Sequence, residues 1–218
     1  MDRAPRNPPI GEPPIRLAVC VSGEGTTLQS LIDQIAGQRL HAEIGVVVAS
    51  RPRIGAIARA EAAGIPLALA QRTRRSGGGF SDSVFDPIRS ARADLVILAG
   101  FLSLLKIPDD YRGRVLNVHP SLIPAFCGQG YYGRKVHQAV IESGVKVSGC
   151  TIHFVDDAYD SGPIILQRVV QVRDNDRAES LAIRVFKEEC KALAEAITLY
   201  AEGRIGVQGR RVSIAPRG

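Results

Sequence analysis

The sequence predicts an α/β fold, a doubly wound and mostly parallel sheet with helices on both faces. Three observations predict it. Short apolar runs alternate with amphipathic stretches in the order β-α-β-α-β-α-β. The run DLVILAG is almost continuously apolar, as a strand covered on both faces must be. The first strand ends in a Gly-rich loop, VSGEGTT, that opens directly into a helix.

Each element follows from local pattern. Arg16–Val21 is a β-rich run. Thr27–Ala36 places Leu28, Leu31, Ile32 and Ile35 at helical spacing. Ile44–Ala49 is the second strand, Ile54–Ala63 the second helix and Pro66–Ala70 a short strand. Ser81–Ser90 has a helical pattern, with Pro87 an obstacle to its second half. Asp94–Ala99 and Arg114–His119 are the next strands. A loop carrying Pro120, Pro124, Gly128 and Gly130 leads to a helix near Lys135–Ser143. Val147–Val155 and Pro163–Val172 alternate like paired strands around the turn-forming run DDAYDSG. The last helix begins after Asp176, with Asp176 and Glu179 spaced as a capping box, and runs to about Ala201 before Gly203. The remainder suits a short edge strand or hairpin. One domain is expected over residues 15–218, behind a Pro-rich, loosely held or disordered tail at residues 1–14.

Composition narrows the function classes. Of the 218 residues, 45% are hydrophobic and 23% charged, which fits a globular chain with a real core. The net charge of +6 suits phosphorylated metabolites or polyanionic cofactors. The basic residues are scattered apart from Arg72, Arg74 and Arg75, and aromatics are few, so a nucleic-acid module is not expected. Cys20, Cys127, Cys150 and Cys190 form no C-x-x-C pair and no zinc-like group with histidine; free thiols and no metal are expected. The N-terminal stretch lacks the apolar core of a signal peptide, and no apolar run is long enough to span a bilayer. A cytoplasmic protein without membrane partners is expected.

Three segments carry candidate chemistry. In the first loop, the amides of Gly23, Glu24, Gly25, Thr26 and Thr27 open a helix and form a ready anion site, with two threonine hydroxyls as further donors. The loop lacks the third glycine of a dinucleotide fingerprint and the G-K-[ST] of a P-loop. A sugar-phosphate or mononucleotide suits it better, and a tight βα turn without a ligand explains it equally well. In LNVHPSLIPAF, Asn117 and His119 sit two apart at a strand's C-terminal end, on one face. An amide there can donate to a developing oxyanion and an imidazole can move a proton near neutral pH. A hydrogen-bonded strand end is the alternative. In HFVDDAYDSGPIILQ, Asp160 can stabilise a turn or hold an imidazole oriented.

VSGEGTTLQ, DLVILAGFLSLL, RVLNVHPSLIPAF, TIHFVDDAYDSGPIILQ and RVFKEECKALAEAI, in that order, resemble the folate-dependent formyltransferase family over about Ile15–Gln208. The resemblance implies binding of 10-formyltetrahydrofolate as co-substrate and glycinamide ribonucleotide as acceptor. It implies that Asn117 stabilises the tetrahedral intermediate, that His119 stabilises the same charge or moves the proton, and that Asp160 tunes His119. Gly23–Thr27 match the phosphate loop, and Glu189 the acidic residue that meets the substrate amine. Leu98, Ala99, Gly100, Phe101, Leu102, Ser103 and Leu104 match one wall of the folate pocket. Val155, Asp156 and Asp157 match the other. His137 matches a family histidine near the site, without an assigned role.

The chain departs from the family at Thr26–Thr27, where Ser-Asn is commoner, and at Ser103, where better-known members carry an arginine. It also departs at FCGQGYYGRKVHQ, and at SGGGF, where a phosphate-contacting arginine is missing in register and Arg72, Arg74 or Arg75 are its candidate substitutes. The resemblance fits a monomer or homodimer. Formyl-folate hydrolysis, formylation of another amine and a non-catalytic folate- or phosphometabolite-binding module are the competing readings.

Overall fold

The computed structural model describes residues 14–70 and 79–217. Arg72, Arg74, Arg75 and all of the expected tail but Pro14 lie outside the described residues. The fold is α/β, with a mostly parallel sheet flanked by helices, as expected. The chain divides into two compact units that join in sequence at Leu116 and Asn117.

In the unit ending at Leu116, β1 (Ile15–Val21), α1 (Thr26–Ala36), β2 (Ala42–Ala49), α2 (Gly55–Ala62), β3 (Leu67–Leu69), α3 (Phe80–Ser90) and β4 (Leu95–Ala99) alternate as predicted. The strand order is β3-β2-β1-β4, and the pairs β1–β2, β1–β4 and β2–β3 are all parallel. Leu95, Val96, Ile97, Leu98 and Ala99 are all buried, which explains the unbroken apolar run. Burying each larger side chain there contributes about 1.5–3 kcal/mol. Pro87 sits inside a continuous α3 without ending it. Its ring costs one helical hydrogen bond, but Val84, Phe85 and Ile88 stay buried around it and hold the helix on the core.

β5 (Val115–His119) crosses into the second unit, which holds α4 (Arg134–Ser143), β6 (Val147–Phe154), β7 (Ile164–Gln171), α5 (Ala178–Ala201), β8 (Ile205–Gln208) and β9 (Arg211–Ile214). β6 pairs antiparallel with β7, and β8 with β9, so the expected C-terminal hairpin is present. α5 packs on β6, β7 and α4.

The cap of α5 differs from expectation. The helix starts at Ala178, so Asp176 lies outside it. Its carboxylate accepts from Arg173 N, from Ser180 Oγ and from Arg184. Ser180 Oγ in turn accepts the Arg177 N–H at 3.0 Å, and Glu179 points away to pair with Arg134 at 2.6 Å. The guanidinium of Arg184 takes the place of the first-turn amides of α5 on Asp176, which keeps one backbone donor, Arg173 N, because two opposite charges bind more strongly than a charge and a dipole. None of the four cysteines is in a disulfide. No helix among the described residues is long and apolar enough to cross a membrane.

Candidate active site

The second unit brings Asn117, His119 and Asp160 together. β5 presents the first two on one face before Pro120 diverts the chain. Asn117 Nδ2 donates to Asp160 Oδ1 at 3.2 Å. His119 Nδ1 lies 3.4 Å from Asp160 Oδ2, and its Nε2 is 2.9 Å from the Phe126 carbonyl oxygen. Asp160 Oδ2 also accepts the Gly128 N–H at 2.8 Å. One carboxylate therefore ties the strand end to the loop that follows it.

The turn carrying Asp160 is built around tight backbone. Asp160 has φ 50°, in the left-handed region that Asp tolerates better than most residues. Two residues on, a Cβ at Gly162 would lie 1.8 Å from the Phe154 carbonyl oxygen, so only glycine fits. Asp156 Oδ1 accepts the Ser161 hydroxyl at 2.6 Å and the Ala158 N–H at 3.1 Å, and so closes the turn.

A fourth side chain, His153 on β6, completes the cluster and was not foreseen. Its Nε2 is 3.1 Å from Asn117 Nδ2 and 3.7 Å from Asp160 Oδ1, and its Nδ1 is 2.8 Å from the Phe154 carbonyl oxygen. It lies in the apolar-looking run TIHF, where a buried histidine has no local signature. The one available clue was its alternation with Thr151, which puts two polar side chains on one face of a buried strand.

The electrostatics follow from burial and proximity. Burial pushes His119 below its ordinary value, opposed by the Asp160 charge and the Phe126 carbonyl. Burial alone would raise Asp160, but the neighbouring His119 imidazole and the Gly128 N–H oppose it, and the carboxyl is held below the usual range. His137, buried on α4, is pushed down by burial and by the neighbouring charge of His119, and its Nδ1 has no hydrogen-bond partner. Glu189 on α5 is half-buried and pushed up to about 7 by desolvation. Burial pushes the Cys150 thiol on β6 up to about 12, and the Glu189 charge adds to it.

The predicted phosphate-loop residues and residues 98–104 belong to the first unit. Gly25 caps α1 in the left-handed conformation with φ 75°, and no side chain caps the helix. A Cβ at Gly25 would lie 2.7 Å from Ala56 Cα, so this glycine admits α2. Gly23 is different: it is exposed, and its Cβ position has no atom within 4 Å. Gly23 and Thr26 are thus exposed beside the first amides of α1, which have no side-chain cap. Thr27 is half-buried, and Glu24 turns its carboxylate toward Gly55.

Two arginines that sequence reading passed over reach this loop from the β2–α2 region. Arg51 Nε donates to Ser22 O at 3.0 Å, and Arg59 Nε to Glu24 O at 2.8 Å. Ser22 Oγ also accepts the Leu102 N–H at 3.1 Å and bonds Ser50 Oγ at 2.7 Å, which fixes the 98–104 segment to the base of the loop. Leu102 and Leu104 are exposed there, Ser103 is half-buried, and Gly100 takes a positive φ of 69°. Val155 is half-buried and Asp157 exposed in the second unit. Among the described residues, no group of three or more His, Cys, Asp or Glu is arranged to hold a metal ion.

Comparison with known proteins gives this arrangement a context. A family model described as formyl transferase matches residues 15–197. A chloroplastic phosphoribosylglycinamide formyltransferase of Vigna unguiculata is 42% identical over 193 residues, covering 87% of this chain and 62% of that protein. Its counterpart in Arabidopsis thaliana is 38% identical, over 87% of this chain and 66% of that protein. The chain thus spans less than two thirds of the length of both. The crystal structure of glycinamide ribonucleotide transformylase 1 from Symbiobacterium toebii superposes with a TM-score of 0.83 at 38% identity, covering 93% of this chain and 94% of that one. A formyltetrahydrofolate deformylase from Pseudomonas syringae superposes with a TM-score of 0.80 at 25% identity, over 93% of this chain and 66% of that one. The chain belongs to the phosphoribosylglycinamide formyltransferase family, within the folate-dependent formyltransferase fold.

Proposed function

We propose that this protein transfers the formyl group of 10-formyltetrahydrofolate to the primary amine of glycinamide ribonucleotide, a step of purine biosynthesis. The observation that carries the proposal is the meeting of Asn117, His119 and Asp160 in one hydrogen-bonded cluster, in a chain of this family.

The chemistry needs no covalent enzyme intermediate. The amine nitrogen attacks the formyl carbon, and the carbonyl electron pair moves onto oxygen. On collapse the carbon–N10 bond breaks, its electron pair stays on N10, and N10 receives the proton that the amine loses. An amide N–H of Asn117 is the donor for the oxyanion. Both of its hydrogens face acceptors in the free protein, Asp160 and His153, so one contact must yield. The contact to Asp160, at 3.2 Å, is the one that a developing oxyanion would replace. Burial favours neutral His119, which can take the amine's proton. The resulting imidazolium would face two acceptors, Asp160 and the Phe126 carbonyl.

Binding roles follow the same logic. The uncapped start of α1 and the space at Gly23 suit the substrate phosphate, with Arg51 and Arg59 adding positive charge. Exposed Leu102 and Leu104 suit the flat pterin of the folate. Glu189, with a carboxyl near 7, suits the substrate amine.

Mass spectrometry after incubation with both substrates should show formylglycinamide ribonucleotide. Absence of this product from a folded sample would sink the proposal. The likeness to a deformylase supports a second reading, hydrolysis of the formyl-folate. Formate release that needs no amine would favour it.

A further inference from the structure

We infer that His153 is a positioning residue that fixes the orientation of the Asn117 amide through a neutral, unprotonated Nε2; this rests on the formyl-transfer reading for its catalytic consequence. The hydrogen count leads there. His153 is 1% exposed, and its Nδ1 lies 2.8 Å from the carbonyl oxygen of Phe154, its neighbour on β6. A carbonyl only accepts, so Nδ1 carries the hydrogen. A neutral imidazole has one N–H, which leaves a lone pair on Nε2.

That lone pair is 3.1 Å from Asn117 Nδ2 and accepts one amide hydrogen. The other amide hydrogen goes to Asp160 Oδ1 at 3.2 Å. A flipped amide would set its oxygen against a carboxylate and a lone pair at once. His153 and Asp160 therefore jointly hold the nitrogen of Asn117, not its oxygen, on the side of the proton-transfer groups. His153 itself is 3.7 Å from Asp160 Oδ1, beyond hydrogen-bond length, so Asn117 is the link between them. When the Asn117 N–H leaves Asp160 for a developing oxyanion, His153 is the acceptor that still holds the amide.

The anchoring is rigid for a local reason. The ring is tied to its own strand's backbone, and two residues earlier Thr151 accepts the Ile123 N–H at 3.1 Å and donates to Ser121 O at 2.7 Å. One polar row on β6 therefore holds both Asn117 and the loop after His119.

Two measurements test this. In the unmodified protein labelled with 15N-histidine, long-range 1H–15N correlation should show His153 protonated on Nδ1 alone, with its signals assigned by their loss in His153→Gln. A proton on Nε2, alone or together with Nδ1, overturns the proposal and makes His153 a direct donor to Asp160. In kinetics, His153→Phe should lower kcat roughly 5- to 150-fold, the range expected when a buried N–H loses its acceptor. KM for both substrates should stay within about twofold. His153→Gln, whose Oε1 stands where Nε2 stood, should lose clearly less. Equal losses in the two variants, or a loss confined to KM, overturn the proposal. If His153→Phe does not fold, the spectrum of the unmodified protein decides. An unmodified protein that forms no product sinks the formyl-transfer reading, and leaves the tautomer to be judged by the spectrum alone.

Discussion

Replacing Asp160 by Asn isolates the carboxylate's charge. Asn tolerates the left-handed conformation at φ 50° as well as Asp does, so the turn should survive. The carboxylate accepts from Gly128 N at 2.8 Å and from Asn117 Nδ2 at 3.2 Å. An amide has one oxygen, so Asp160→Asn keeps one of these bonds and turns the other into a clash of donors. A lost charge-assisted bond costs about 1.5–3 kcal/mol and an orphaned buried donor adds to it, about 2–4 kcal/mol in all. In the transition state that is roughly a 30- to 1,000-fold loss in kcat. The charge of Asp160 also raises His119 against the downward push of burial. In Asp160→Asn, His119 should therefore titrate lower still, and the acid limb of kcat/KM should move to lower pH. Stopped-flow rates across pH read both effects. A variant within about threefold of the parent, with an unmoved acid limb, would refute the reasoning.

Gly25→Ala should destabilise the protein by about 2–4 kcal/mol in urea unfolding, from the left-handed backbone and the crowding of Ala56; a loss under about 1 kcal/mol would contradict the packing described. Gly162→Ala must move the Phe154 carbonyl or the turn, and should cost about 100-fold in kcat by displacing Asp160, while a normal rate would show that the turn is not critical. Glu189 is raised from 4.5 to about 7, so the native state holds a proton that the unfolded chain has lost between those pH values. Its contribution to stability should fall as pH rises through that window, by up to about 3 kcal/mol before discounting for its partial exposure. Glu189→Gln should remove this slope, and a slope unchanged by the substitution would contradict the assignment. In the same window, the acceptor KM of the unmodified protein should fall as pH rises, and that of Glu189→Gln should not.

Much of the fold was legible because its signals are local. Leu95–Ala99 of the DLVILAG run and Leu28 and Leu31 are buried as their pattern predicts, while Ile32 and Ile35 of the same helical stripe are half-buried. Pro87 misleads because tertiary burial of Phe85 and Ile88 overrides one missing hydrogen bond. The α5 cap misleads for a similar reason, since Arg184 lies two turns from Asp176 and takes the carboxylate expected to serve the backbone. In the site, alternation alone placed Asn117 and His119 on one face. The contact of Asp160 with them depends on a non-local turn, which no spacing rule describes. His153 was invisible for the same reason: its partner, Asn117, is 36 residues away in the chain. Arg51 and Arg59 escaped notice because nothing in SRPRIGAIARA marks which arginines turn toward the first loop.

The central claim is that the cluster at the end of β5 drives transfer from folate to an amine, not hydrolysis. Its most direct test is the initial rate of tetrahydrofolate formation from 10-formyltetrahydrofolate, with glycinamide ribonucleotide present and with it omitted. The account predicts release only with the acceptor present, one formylated product per tetrahydrofolate, and a large loss of that rate in Asp160→Asn. Equal release without acceptor would contradict it and assign the cluster to hydrolysis.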